Sequence, residues 1–68
     1  MPVVESSAIE RVDYDDATRA LFVRFMSGRR YRYDDVPREV YRRFVAAASK
    51  GAFFNAEIRD RYGFSEIV

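Results

Sequence analysis

The 68-residue chain has no cysteine, no histidine and no tryptophan, one lysine, two prolines and three glycines. Each shortage removes a class of function. Without cysteine there is no disulfide to staple a small core and no sign of secretion, and without histidine or cysteine the usual general base, the reactive thiol and the commonest metal ligands are gone. A serine nucleophile would have only Lys50 or a carboxylate to activate it. Ser49-Lys50 stands in no surrounding motif and reads as a capped helix start with a solvated lysine. Gly28, Gly51 and Gly63 are too scattered for a phosphate cradle or a dinucleotide fingerprint. A calcium loop starting at Asp13 would need glycine and glutamate where Thr18 and Arg24 stand, so the acidic cluster reads as a turn. The expectation is a protein that is not an enzyme and uses no cofactor and no metal. No stretch approaches the roughly 20 apolar residues of a membrane span. Met1 to Glu10 lacks the basic segment and apolar run of a signal peptide, so the expected location is cytoplasmic, away from the membrane.

What the chain does have is aromatic side chains, 6 Phe and 5 Tyr. One domain of this size buries only about 60% of the surface its unfolded chain exposes, and large aromatics give the most burial per position. The net charge of +1 is uninformative, but its distribution is not. Acids dominate Met1 to Ala20, whereas Leu21 to Tyr33 carries Arg24, Arg29, Arg30 and Arg32 and no acid. A near-neutral protein can still present a basic stripe.

Three segments alternate as strands do. The first holds Val12 and Tyr14 on one face. In the second, Leu21, Val23 and Phe25 alternate with Phe22 and Arg24, and in the third Tyr31 and Tyr33 alternate with Arg30 and Arg32. A three-residue loop, Met26-Ser27-Gly28, with glycine at the left-handed third position, pairs Phe25 with Arg29, Val23 with Tyr31 and Leu21 with Tyr33. A two-residue loop would split the apolar face. Asp15-Asp16-Ala17-Thr18 closes the first hairpin as type I turn material, which predicts Tyr14 opposite Arg19 and Val12 opposite Leu21.

From Pro37 to about Ala48 the period becomes helical, with proline expected at the first helical position and Tyr41, Phe44, Val45 and Ala48 on the apolar stripe. Ser49 is placed to cap a second, shorter helix containing Phe53, Phe54 and Ile58. Gly51 either ends the first helix or permits a close approach in the second. The tail from Tyr62 to Val68 alternates through Tyr62, Phe64 and Ile67, so it is either a short fourth strand or packing chain. The predicted fold is a single α+β domain, a three-stranded antiparallel meander with two short helices packed on one face.

The opposite face then carries Phe22, Arg24, Arg30 and Arg32, the segment with the strongest functional signal. Guanidiniums meet phosphates and stack on bases, so these four residues, with Lys50, are the candidate nucleic-acid site. The plain alternative is a solvated sheet face with charged edge protection. The other functional class is protein interaction or self-association through a sheet edge, with Phe22 and Met26 as the exposed apolar positions.

Taken in order, Ser6-Ser7-x-Ile9, Val12-x-Tyr14-Asp15, Leu21-x-Val23-x-Phe25-x-x-Gly28, Tyr31-x-Tyr33-x-x-Val36-Pro37, Tyr41 and Ser49-x-Gly51-x-x-Phe54-Asn55-x-x-Ile58 form a recognisable series. The series resembles the KTSC domain, a short bacterial and phage domain with a central Tyr-x-Tyr, across about 5–62. That family occurs as stand-alone proteins and at the C-terminus of some lysyl-tRNA synthetases. The resemblance implies this fold and, by that association, RNA (tRNA or single-stranded) as a partner. Most matching residues are those assigned to core and turns. Asn55 is the exception, read as a buried hydrogen-bonding anchor or an exposed contact.

Overall fold

The computed structural model describes residues 9–67. Four strands form one antiparallel sheet in sequential order: β1 (Ile9–Asp15), β2 (Ala20–Phe25), β3 (Arg30–Tyr33) and β4 (Phe64–Ile67). Between β3 and β4 lie α1 (Arg38–Ala46) and α2 (Lys50–Phe53), the latter running directly into a π-helical turn at Phe54–Ile58. The tail is therefore a fourth strand. Among the described residues no helix is long and apolar enough to cross a membrane. The Ser6-Ser7 pair and Val68 lie outside the described residues.

The β2–β3 hairpin has the register its loop demands, with Leu21 opposite Tyr33, Phe22 opposite Arg32, Val23 opposite Tyr31 and Arg24 opposite Arg30. The Phe25 N–H donates to the Arg29 carbonyl and the Gly28 N–H to the Phe25 carbonyl, both at 2.9 Å, with Gly28 at φ 95°. The β1–β2 register differs from expectation. Val12 lies opposite Val23 and Tyr14 opposite Leu21, two residues from the predicted pairing. The cause is Arg19, which is not the first strand residue but the last loop residue, in the left-handed region at φ 58°. The loop therefore spans Asp16 to Arg19, and the Asp15 carboxylate accepts from the Ala17 N–H at 2.9 Å. A slip of two keeps every side chain on its face, so the apolar face survives while the neighbours across it change.

Val36 ties the sheet to the helices. Its side chain is fully buried, its N–H donates to the Arg19 carbonyl at 2.9 Å, and its carbonyl accepts from the Tyr14 hydroxyl. Pro37 is the N-cap of α1, one residue before its expected place, because its ψ of 147° is extended rather than helical. The buried stripe of α1 is Val40, Tyr41 and Phe44. Val45 is 40% exposed and Ala48 lies beyond the helix, so the stripe is rotated from the predicted one. Ser49 caps α2 as expected, accepting from the Ala52 N–H at 3.2 Å, and Gly51 sits buried inside that helix.

Leu21, Val23, Tyr33, Val36, Phe44, Phe54 and Ile58 make one buried cluster between the sheet and the helices. Phe44 is its centre: 0% exposed, stacked on Phe53 at 5.5 Å and tilted against Phe54 at 6.4 Å. Truncating it leaves a cavity that short helices flanked by loops cannot fill. Phe44→Ala should lower unfolding free energy by about 3–5 kcal/mol. Urea denaturation followed by circular dichroism measures this, and a loss below about 1 kcal/mol would contradict a core centred on Phe44.

Candidate nucleic-acid interface

The helices cover one face of the sheet, and strand alternation sends Phe22, Arg24, Arg30 and Arg32 to the other. Four of the five predicted site residues are therefore brought together. Lys50 is not. It opens α2 in the helical layer, on the covered side of the sheet. Phe22 is half-buried rather than exposed, held between Asp13 on β1 and Arg32 on β3.

The corrected register adds a residue that the predicted pairing had concealed. Arg11 lies opposite Arg24, and Arg24 opposite Arg30, so three guanidiniums stand in one row across β1, β2 and β3. The slipped pairing had put Arg11 beside Phe22 instead. Only the left-handed Arg19 could have corrected it, and an arginine gives no sequence signal for that conformation. Directly opposed like charges destabilise a sheet, so the row works against the fold. Carboxylates at its margins offset part of this: Arg11 pairs with Asp13 at 2.9 Å and Arg24 with Glu10 at 3.3 Å, while Arg32, beside the row, pairs with Asp34 at 3.2 Å. These pairs are solvent-exposed and each is worth about 0–1 kcal/mol, little enough for an incoming phosphate to displace. Among the described residues Arg30 has no ion pair. Arg11, Asp13, Phe22, Arg24, Arg30 and Ile67 line a shallow concavity of about 250 Å³.

A larger concavity, about 460 Å³, opens on the helix side where α2 and its π-helical turn leave the end of the sheet uncovered. Phe25, Tyr31, Tyr33, Phe54 and Phe64 line it, with Arg59 and Asp60 beside them. The rings support one another. Tyr31 stacks on Phe64 at 5.9 Å, Tyr33 meets Phe54 edge-on at 5.6 Å, and Phe25 meets both Tyr31 and Phe54 edge-on at 5.8 and 5.6 Å. Phe64 is 56% exposed and is the exposed aromatic that Phe22 was expected to be. Asn55 is an anchor: its amide donates to the Gly51 carbonyl at 3.0 Å and its oxygen accepts from Arg59 at 3.2 Å, which fixes the π-helical turn.

Tyr33 is 3% exposed, and burial, helped by Tyr31 and Asp60 and opposed by Arg59, pushes its hydroxyl up to about 12 from the ordinary 10. An unfolded chain releases this proton near pH 10 while the folded one keeps it to about 12. The folded state then holds the extra proton, so stability is complete below pH 10 and falls as pH rises toward 12. The loss is at most about 2–3 kcal/mol, less to the extent that solvent reaches the hydroxyl through the groove it lines. Tyr33→Phe should remove this component. The stability difference between wild type and variant should shift by that amount between the two pH values, and a difference that does not change with pH would show that the hydroxyl is in fact solvated.

Comparison with known proteins places this geometry in a family. A protein of Tsukamurella paurometabola is 45% identical over 62 residues, covering 91% of this chain and 92% of its own. The crystal structure of a KTSC domain protein from Yersinia pestis superposes with a TM-score of 0.87 at 34% identity, over 98% of this chain and 94% of that one. The family model of the KTSC domain matches residues 5–62, and the chain belongs to the KTSC domain family.

Proposed function

We propose that this domain is a non-catalytic module of the cytoplasm that binds single-stranded RNA across the outer face of its sheet. The observation that carries the reading is the Arg11–Arg24–Arg30 row, retained although it opposes folding. A sugar–phosphate backbone laid along the row exchanges guanidinium repulsion for phosphate contacts. Phe22, next to the row and opposite Arg32, supplies an aromatic surface for one base, and the 250 Å³ concavity gives that base a seat. The association of the family with some lysyl-tRNA synthetases makes tRNA single-stranded regions the natural first ligand. The absence of histidine and cysteine from the sequence supports binding without chemistry.

Binding of a labelled single-stranded RNA, followed by fluorescence anisotropy over a range of salt, tests this. Affinity should fall steeply with salt, and Arg30→Ala with Arg32→Ala should weaken binding and flatten the logarithmic slope by about 1.4, the value for two lost single-strand phosphate contacts. Both side chains are exposed, so the variant's circular dichroism should be unchanged. Equal affinity and slope in wild type and double variant would remove the outer face from the function.

A further inference from the structure

The aromatic groove and the β4 edge form one continuous surface on the side away from the arginine row. β4 is the last strand of the sheet, and among the described residues no strand pairs with its far side. Its outward-facing backbone groups can be assigned. The Asp34 N–H donates to the Gly63 carbonyl at 2.8 Å, and antiparallel pairs alternate between bonded and non-bonded. Gly63, Ser65 and Ile67 therefore turn their backbone groups toward β3, and Phe64 and Glu66 turn theirs outward. The same assignment follows independently from the other hairpin, where Phe25 bonds to Arg29, so that Tyr31 and Tyr33 face β2 and leave Arg30 and Arg32 for β4.

Phe64 and Glu66 pair across β3 with Tyr33 and Tyr31, so their side chains also lie on the groove face. The two residues that offer unpaired N–H and C=O groups are thus the two that present side chains to the groove. β1, the opposite edge, carries Glu10, Arg11, Asp13 and Asp15, charges of the kind that deter strand addition. β4 has one charge and an aromatic ring that is 56% exposed.

We infer that β4 accepts an extended peptide segment of a partner protein as a fifth, antiparallel strand, with a basic–x–apolar sequence read from N- to C-terminus. Residues directly opposite each other in an antiparallel pair share a face. The residue opposite Phe64 therefore puts its side chain over the exposed ring and into the aromatic groove, which selects a large apolar group. The residue two earlier in the peptide lies opposite Glu66, and Asp60 and Arg59, opposite in charge, both border the groove. Neither carboxylate is within 4 Å of a cation among the described residues. Arg29, just before β3, acts on Glu66 electrostatically but forms no ion pair with it within 4 Å, so the carboxylate keeps room for a closer cation. Glu66, directly opposite, selects a basic side chain. Main-chain hydrogen bonds supply affinity and the two side chains supply the preference, as in other strand-addition sites.

The test is an NMR titration of the labelled domain with the blocked peptide Thr-Thr-Lys-Thr-Phe-Thr and its counterpart with Glu in place of Lys. The lysine peptide should bind more tightly by about twofold or more, the scale of one exposed ion pair, and should shift the Phe64 and Glu66 amides. Phe64→Ser should weaken it about tenfold, as loss of a central aromatic anchor does. Glu66→Lys should invert the preference, a result that a merely destabilised domain would not give. No shift from either peptide, shifts away from β4, or an unchanged preference in Glu66→Lys would each overturn the inference. So would single-stranded RNA shifting Phe64 and Glu66 when neither peptide does, because that would assign the edge to nucleic acid.

Discussion

Everything in this domain hangs on the parity of the β2–β3 hairpin. A three-residue loop ending in left-handed Gly28 sets Val23 opposite Tyr31 and Leu21 opposite Tyr33. One residue fewer would pair tyrosine with arginine and leave no continuous apolar face for α1 and α2 to cover. With the parity fixed, the inner face gains the rings that Phe44 and Phe54 pack against, and the outer face is left to Phe22 and the arginines. Core and candidate interface are two consequences of one turn.

The two faces then solve different problems. The inner face must bury enough apolar surface for a chain with no disulfide, and it does so with mutually supporting aromatic rings set among Leu21, Val23, Val36 and Ile58. The helices are short, so they cover only part of it, and the uncovered remainder is the groove beside β4. The outer face has no such duty. It tolerates Arg11, Arg24 and Arg30 in one row because Glu10 and Asp13 offset part of the repulsion at the margins. Val36 holds the layers in place from the corner where the first hairpin loop, Tyr14 and α1 meet.

Much of this was legible in the sequence because period-two alternation and glycine placement act locally. The meander, the β2–β3 register, the Ser49 cap and the outward direction of Phe22, Arg24, Arg30 and Arg32 all follow from such signals. What escaped depends on conformations the residue types do not advertise. Arg19 adopts a left-handed conformation with no glycine or asparagine to announce it, so the first register slipped by two and Arg11 was missed. Val45 and Ala48 fit the helical stripe as well as Val40 does, and only the exit angle at Pro37 decides among them. Charge alone groups Lys50 with the arginines, and the chain path puts it in the other layer. The resemblance to the KTSC domain rested on core and turn residues, which is why it identified the fold and left the binding face open.

The hairpin separates two independent surfaces, a cationic one outside and an aromatic one inside. The most direct measurement is to titrate one isotope-labelled sample with single-stranded RNA, and then to add the lysine-containing peptide to the RNA-saturated domain. Independence of the two surfaces means that RNA moves the resonances of Arg11, Phe22, Arg24 and Arg30, and that the peptide then moves Phe64, Glu66 and Tyr31 without displacing the RNA. Competition between the two ligands, or one ligand moving both sets of resonances, would contradict it.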